Sequence, residues 1–117
     1  MEKILGYQIK EKEQLKKILT PMKIRFEEIA VEDLRQCIGD LAEGKKLPLA
    51  APFDGTAPTE SLLVFCGVSE KHLDKLLFSM RKMQIQVDLK AVLTPTNQKW
   101  TVLMLLLELG KEKSKFE

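Results

Sequence analysis

The sequence predicts an α/β domain: a four-stranded parallel sheet of order 2-1-3-4, from a duplicated strand-helix-strand-helix unit. A ferredoxin-like α+β arrangement is the alternative. Three observations support the first. Apolar residues recur at i, i+3, i+4 and i+7 in four separate windows, each marking one helix face. A strand-like run precedes every window. The run that opens each half, 4–9 and 62–66, is apolar nearly throughout, whereas the second run of each half, 24–29 and 87–93, alternates. Continuous apolar runs suit the middle of a sheet covered on both faces, and alternating runs suit its edges. Right-handed crossovers then set the two apolar strands side by side, with helices on both faces.

In chain order, Ile4, Leu5, Tyr7 and Ile9 mark the first strand. Leu15, Ile18, Leu19 and Met22 mark a helix over 10–22, which Pro21 ends near Thr20 because the residue before proline avoids the helical region. The strand 24–29 places Ile24 and Phe26 opposite Arg25 and Glu27. Leu34, Cys37, Ile38 and Leu41 predict a helix over 32–42, with Gly44 as its stop. Residues 44–60 carry Pro48, Pro52, Pro58 and Gly55 without periodicity, so they read as a loop joining halves 1–43 and 61–110 of a single domain, 1–117. Leu47, Leu49 and Phe53 give that loop apolar groups to pack on the body.

The second half repeats the plan. After strand 62–66, Ser69 caps a helix reaching 83, with Leu73, Leu76, Leu77 and Met80 on one face. Strand 87–93 runs into Thr94-Pro95-Thr96-Asn97-Gln98-Lys99-Trp100. A threonine there caps a last helix, Pro95 occupies its first turn, and Trp100, Leu103, Met104 and Leu107 form its buried face. Laying Leu15 on Leu73 also brings Leu5 onto Leu63 and Tyr7 onto Phe65, which is the basis for reading a duplication. The tail from Gly110 is charged.

Composition excludes several function classes. The chain has 117 residues, 44% hydrophobic and 31% charged, with Lys+Arg 19 against Asp+Glu 17 and net charge +2. That balance is too even to imply nucleic acid or an acidic membrane surface. No aromatic pairs interleave with basic residues, and no Gly-rich phosphate loop is present. The apolar run 102–107 is too short to cross a bilayer. Met1-Glu2-Lys3 leads straight into a strand without a leader pattern, so a cytoplasmic protein with reduced thiols is expected. One histidine and two distant cysteines do not make a metal-ligand set, and no cofactor is implied.

Two places offer chemistry. Cys66 and Gly67 end a strand just before the Ser69 cap, a setting that can activate a thiol. A nucleophilic cysteine needs a base, however, and the single histidine, His72, falls on the wet side of its helix. An ordinary core cysteine is the simpler reading. Thr94, Thr96, Asn97 and Gln98 present side chains and free backbone N–H groups that suit an anion or a partner's carboxylate. A plain helix start explains the same residues more economically. A parallel sheet would add a crevice where the winding reverses, between 8–10 and 66–68. The last helix is apolar nearly all round from 102 to 107, implying deep burial or a homo-oligomer contact through that helix.

Leu62-Leu63-Val64-Phe65-Cys66-Gly67-Val68-Ser69 and Leu89-Lys90-Ala91-Val92-Leu93-Thr94-Pro95-Thr96-Asn97-Gln98-Lys99-Trp100 make the second half similar to a bacterial family known as domain of unknown function 3783. Gln36-Cys37-Ile38-Gly39-Asp40-Leu41-Ala42 resembles what often precedes that domain. The resemblance implies no established activity, substrate or cofactor, and carries a loose association with amino-acid metabolism. It also implies small residues at the position of Cys66, which counts against a catalytic thiol. The resulting expectation is a non-enzymatic binding or regulatory module. A small-molecule sensor linked to amino-acid metabolism and a thiol enzyme using Cys66 are the alternatives.

Overall fold

Strand order agrees with expectation and strand direction does not. The computed structural model describes residues 2–48, 53 and 55–115. Its sheet contains β1 (Lys3–Tyr7), β2 (Arg25–Ile29), β3 (Leu62–Cys66) and β4 (Leu89–Val92) in the order β2-β1-β3-β4. β1 runs parallel to β2, and β3 parallel to β4. The central pair is antiparallel, with Lys3 opposite Cys66, Leu5 opposite Val64 and Tyr7 opposite Leu62. The sheet is therefore mixed rather than all parallel. A strand buried on both faces carries the same apolar pattern in either direction, so its composition does not encode its polarity.

Two consequences follow from that one reversal. The carboxyl ends of β1 and β3 lie at opposite ends of the sheet, so the crevice expected between 8–10 and 66–68 does not form. The second consequence concerns the crossover helices, α1 (Lys12–Leu19) and α3 (Glu70–Lys82). Two right-handed crossovers that leave the centre of a parallel sheet in opposite directions cover opposite faces. On antiparallel central strands they cover the same face, and α1 packs beside α3. The short α2 (Ile38–Ala42) and α4 (Val102–Lys115) cover the other face.

Period-two alternation divides the core accordingly. Ile4, Leu63 and Phe65 face Leu15 and Leu19 of α1 and Leu76 and Met80 of α3. Leu5, Tyr7, Leu62 and Val64 face Ile38 and Leu41 of α2 and Val102 and Leu106 of α4. Each fully buried aliphatic side chain contributes roughly 1.5–3 kcal/mol by leaving water. The edges are wet, as their alternation predicts: Arg25, Glu27 and Glu28 on β2 and Lys90 on β4 are exposed. Charged groups there discourage further strand pairing.

Both halves leave their first strand through a residue with positive φ, Gln8 at 55° and Gly67 at 66°. Both also enter the second strand's approach through one, Lys23 at 58° and Gln84 at 57°. The residue pairing inferred from sequence needs correction, because Leu5 and Tyr7 face α2 and α4 while Leu63 and Phe65 face α1 and α3.

The helix expected over 32–42 is broken. A 3-10 turn, Val31–Asp33, is followed by a further turn over 34–36, an extended Cys37 and then α2. The last helix likewise begins later than expected. Asn97–Lys99 is a 3-10 turn, Trp100 is extended, and α4 starts at Val102 with Thr101 Oγ1 accepting from the Met104 N–H at 3.1 Å. One pairing explains both interruptions. The Ile38 N–H donates to the Trp100 carbonyl at 2.9 Å and the Val102 N–H to the Gln36 carbonyl at 3.0 Å, placing Cys37 opposite Thr101. These backbone bonds between the halves outcompete local helix propensity.

The loop after α2 is tied down at both ends. The Gln36 side chain donates to the Leu47 carbonyl at 2.8 Å and accepts from the Leu47 N–H at 3.0 Å. Tyr7 Oη donates to the Pro58 carbonyl at 2.7 Å, and Phe53 packs against the core. Leu49, also expected to pack there, lies outside the described residues.

Candidate functional site

The placement of α1 and α3 on one face creates a groove of about 660 Å³ between them. Its α3 wall is a single helical stripe. His72, Lys75, Ser79 and Lys82 recur at intervals of three and four, while the neighbouring stripe, with Leu76 and Met80, is buried against the sheet. Lys17 and Lys23 stand on the α1 side, and Ile18, Met22 and Met83 supply an apolar lining. Lys17, Lys23, Lys75 and Lys82 are all exposed, and none forms an ion pair with the described residues. The groove thus combines uncompensated positive charge with an apolar lining in which Ile18 and Met22 are half-buried and Met83 is exposed.

His72 is held at one end of it. Glu2 Oε1 lies 2.7 Å from His72 Nδ1, and Glu2 Oε2 accepts from the Ser69 N–H at 2.8 Å. With Glu2 ionised, Nδ1 carries the proton it donates, which leaves the far edge of the ring for solvent or a ligand. The Ser69 N–H, with help from His72, holds the Glu2 carboxyl below the usual carboxylate range. Ser69 also caps α3 as expected, accepting from the His72 N–H at 3.2 Å.

The 94–100 junction is built differently from an open helix start. The Asn97 N–H donates to Thr94 Oγ1 at 3.0 Å, and the Thr94 N–H donates back to Asn97 Oδ1 at 2.8 Å. Asn97 Nδ2 donates to the Val92 carbonyl at 2.9 Å. Asn97 is buried, and both ends of its amide are used internally. Thr96 is exposed and its side chain caps nothing. Gln98 is exposed and, with Lys99, lines a shallow groove of about 420 Å³ against Cys37, Asp40 and Glu43. Trp100 is half-buried, packed against the α2/α4 core rather than enclosed by it.

Cys66 and Gly67 lie at the same end of the sheet as that junction, since the Leu93 N–H donates to the Phe65 carbonyl at 2.9 Å. Gly67 occupies the left-handed region that a turn out of β3 requires. Cys66 is buried, and burial pushes its thiol up to about 11, against a smaller opposing pull from Lys3. It faces α2 and α4, whereas His72 rides on α3, across the sheet. The thiol therefore has neither exposure nor the chain's single histidine beside it. Among the described residues, no group of histidine, cysteine and acidic side chains is arranged to hold a metal ion, and no helix is long and apolar enough to cross a membrane.

A family model described as Domain of unknown function (DUF3783) matches residues 61–116. Residues 61–116 belong to that family. No curated protein and no solved structure matches the chain. The DUF3783 region covers β3 through α4, so it supplies the α3 wall of the large groove and the whole 94–100 junction. The α1 wall, and the Glu2 that holds His72, come from the half outside the match.

The groove was not visible in sequence. Its lysines are ordinary wet-face residues of two amphipathic helices. Only the antiparallel β1–β3 pairing brings them together. The available signal was the spacing of Lys75, Ser79 and Lys82 on one stripe, beside a stripe that is buried.

Proposed function

We propose that this protein is a non-enzymatic binding module whose groove between α1 and α3 receives an anionic partner with an apolar side. One observation carries the reading: four unpaired lysines stand on two walls around Ile18, Met22 and Met83. Apolar lining favours contact with a non-polar surface, and the ammonium groups select and steer negative charge toward it. The thiol-enzyme alternative loses its support with the buried, base-free Cys66. The sensor alternative loses the crevice on which it rested. Gln98 keeps a free side chain at the mouth of the smaller groove and is the junction residue retained as a candidate contact.

A titration of the ¹⁵N-labelled protein, followed by amide shifts, tests the reading. The probes are decanoate, inorganic triphosphate and an acidic peptide, each set against a neutral analogue or acetate. Shifts confined to 17–23 and 72–83 for an anionic probe are expected. No shift with any probe, or shifts confined to 94–100, would overturn it.

A second reading is supported by α4. Met104 and Leu107, expected on the buried face of the last helix, are instead 49% and 56% exposed. We read this stripe as a contact for a second copy of the chain. Sedimentation that stays monomeric at high protein concentration contradicts it. The matched positive-φ residues of the two halves likewise support an origin by internal duplication.

A further inference from the structure

We infer that the occupant of the α1–α3 groove is an acidic amphipathic helix of a partner protein, about three turns long. This deepens the functional reading above and rests on it. The first argument is the distribution of charge. A compact anion is held by donors that converge, often from buried positions. Here none of the lysines is buried: all four that line the groove are exposed and spread over its two walls. On α3 the polar groups are strung from His72 to Lys82, about 15 Å at the helical rise. A row of cations at helical spacing complements a row of carboxylates at helical spacing.

The second argument is the character of the lining. Ile18, Met22 and Met83 line the groove together, and Met83 is 44% exposed. Methionine surfaces adapt to aliphatic stripes on bound helices. An apolar stripe at i, i+3, i+4 and i+7 would cover the lining, and acidic residues flanking it would meet Lys17 and Lys23 on one side and Lys75 and Lys82 on the other. Lysines suit this role because a flexible point charge tolerates variation in carboxylate position, where an arginine fork demands one geometry. A nucleic acid would find the same charges but no aromatic stacking surface in the lining.

The test uses the full chain and isothermal titration with two synthetic 14-residue peptides of one composition. In one, leucines at helical spacing are flanked by glutamates; in the other, the order is scrambled so that no apolar face forms. Triphosphate, decanoate and a single-stranded oligonucleotide complete the set. The amphipathic peptide is expected to bind at least tenfold more tightly than the scrambled one and to gain helicity on binding. Raising salt from 50 to 200 mM should weaken it severalfold. Lys75→Glu with Lys82→Glu, and separately Lys17→Glu with Lys23→Glu, should each weaken it at least tenfold, with circular dichroism confirming that each variant is folded. Equal binding of the two peptides, indifference to both charge reversals, or tighter binding of the oligonucleotide would overturn the inference. If triphosphate or decanoate binds at the groove and the peptide does not, the helix is wrong while the anionic groove stands. If nothing binds, both fall.

Discussion

Gly39 on α2 lies against the carbonyl oxygen of Gln98: a Cβ at position 39 would come within 2.9 Å of it. This contact joins the first half of the chain to the junction in the second, beside the Cys37–Thr101 pairing. The obstacle is backbone, which cannot swing aside. Gly39→Ala should therefore destabilise the protein by ~1–3 kcal/mol through overpacking. In a helix with open space the same change would stabilise by up to about 1 kcal/mol. The sign of the shift in urea midpoint decides between a close seam and a loose one.

Asn97 should behave as a structural residue. Replacing it with alanine leaves the part-buried Val92 carbonyl and Thr94 N–H without the partners they have now. Asn97→Ala should cost ~1–3 kcal/mol, and Thr94→Ala ~1 kcal/mol as the loss of a cap. Because each residue holds the other, the double variant should cost less than the sum. Unchanged stability in Asn97→Ala would return the junction to the list of binding sites.

Cys66 should be slow and Cys37 faster toward a thiol reagent in the native protein, since Cys37 is half-buried and Cys66 is enclosed. With its thiol pushed up to about 11, Cys66 is thiolate in about one molecule in 10,000 at pH 7. Labelling of Cys66 faster than a free model thiol contradicts this. The same shift makes stability depend on pH. A raised folded value favours the neutral thiol, so its contribution is complete below the ordinary thiol range, near 8.5, and is lost as pH rises toward 11. Denaturant midpoints should fall across that window in the wild type and fall less steeply in Cys66→Ala.

Glu2 should act in the opposite direction. Its lowered carboxyl favours the ionised form in the folded protein. The stability it adds is present above the ordinary carboxylate range and is lost as pH falls through the lowered value. Glu2→Gln should flatten part of the acid limb of the stability profile, and Glu2→Ala should also broaden the His72 ring resonances, whose Nδ1 partner it removes. An unchanged acid limb and unchanged His72 signals would show that the pair is not formed in solution.

Much of the architecture was legible because burial leaves a local signature. The near-continuous apolar runs at 4–9 and 62–66 marked the central strands, and Ser69 marked the start of α3. What was not legible depended on partners distant in sequence. Leu34, Ile38 and Leu41 are all buried, as their spacing implied, yet they do not share one helix, because 36–38 is drawn into pairing with 100–102. Trp100 was expected at the heart of a helix face. It is half-buried in an extended link, so Trp100→Ala should cost less than the ~3–5 kcal/mol of a fully enclosed aromatic. Strand polarity was the largest omission, since Leu62 to Cys66 presents two apolar faces whichever way it runs.

That polarity decides whether α1 and α3 share a face, and so whether the lysine groove exists. Cross-strand backbone NOEs in the ¹³C,¹⁵N-labelled protein read it directly. Contacts linking Lys3 with Cys66, Leu5 with Val64 and Tyr7 with Leu62 are expected. Contacts linking Lys3 with Leu62 and Tyr7 with Cys66 would make β1 and β3 parallel, send α1 and α3 to opposite faces of the sheet, and remove the groove.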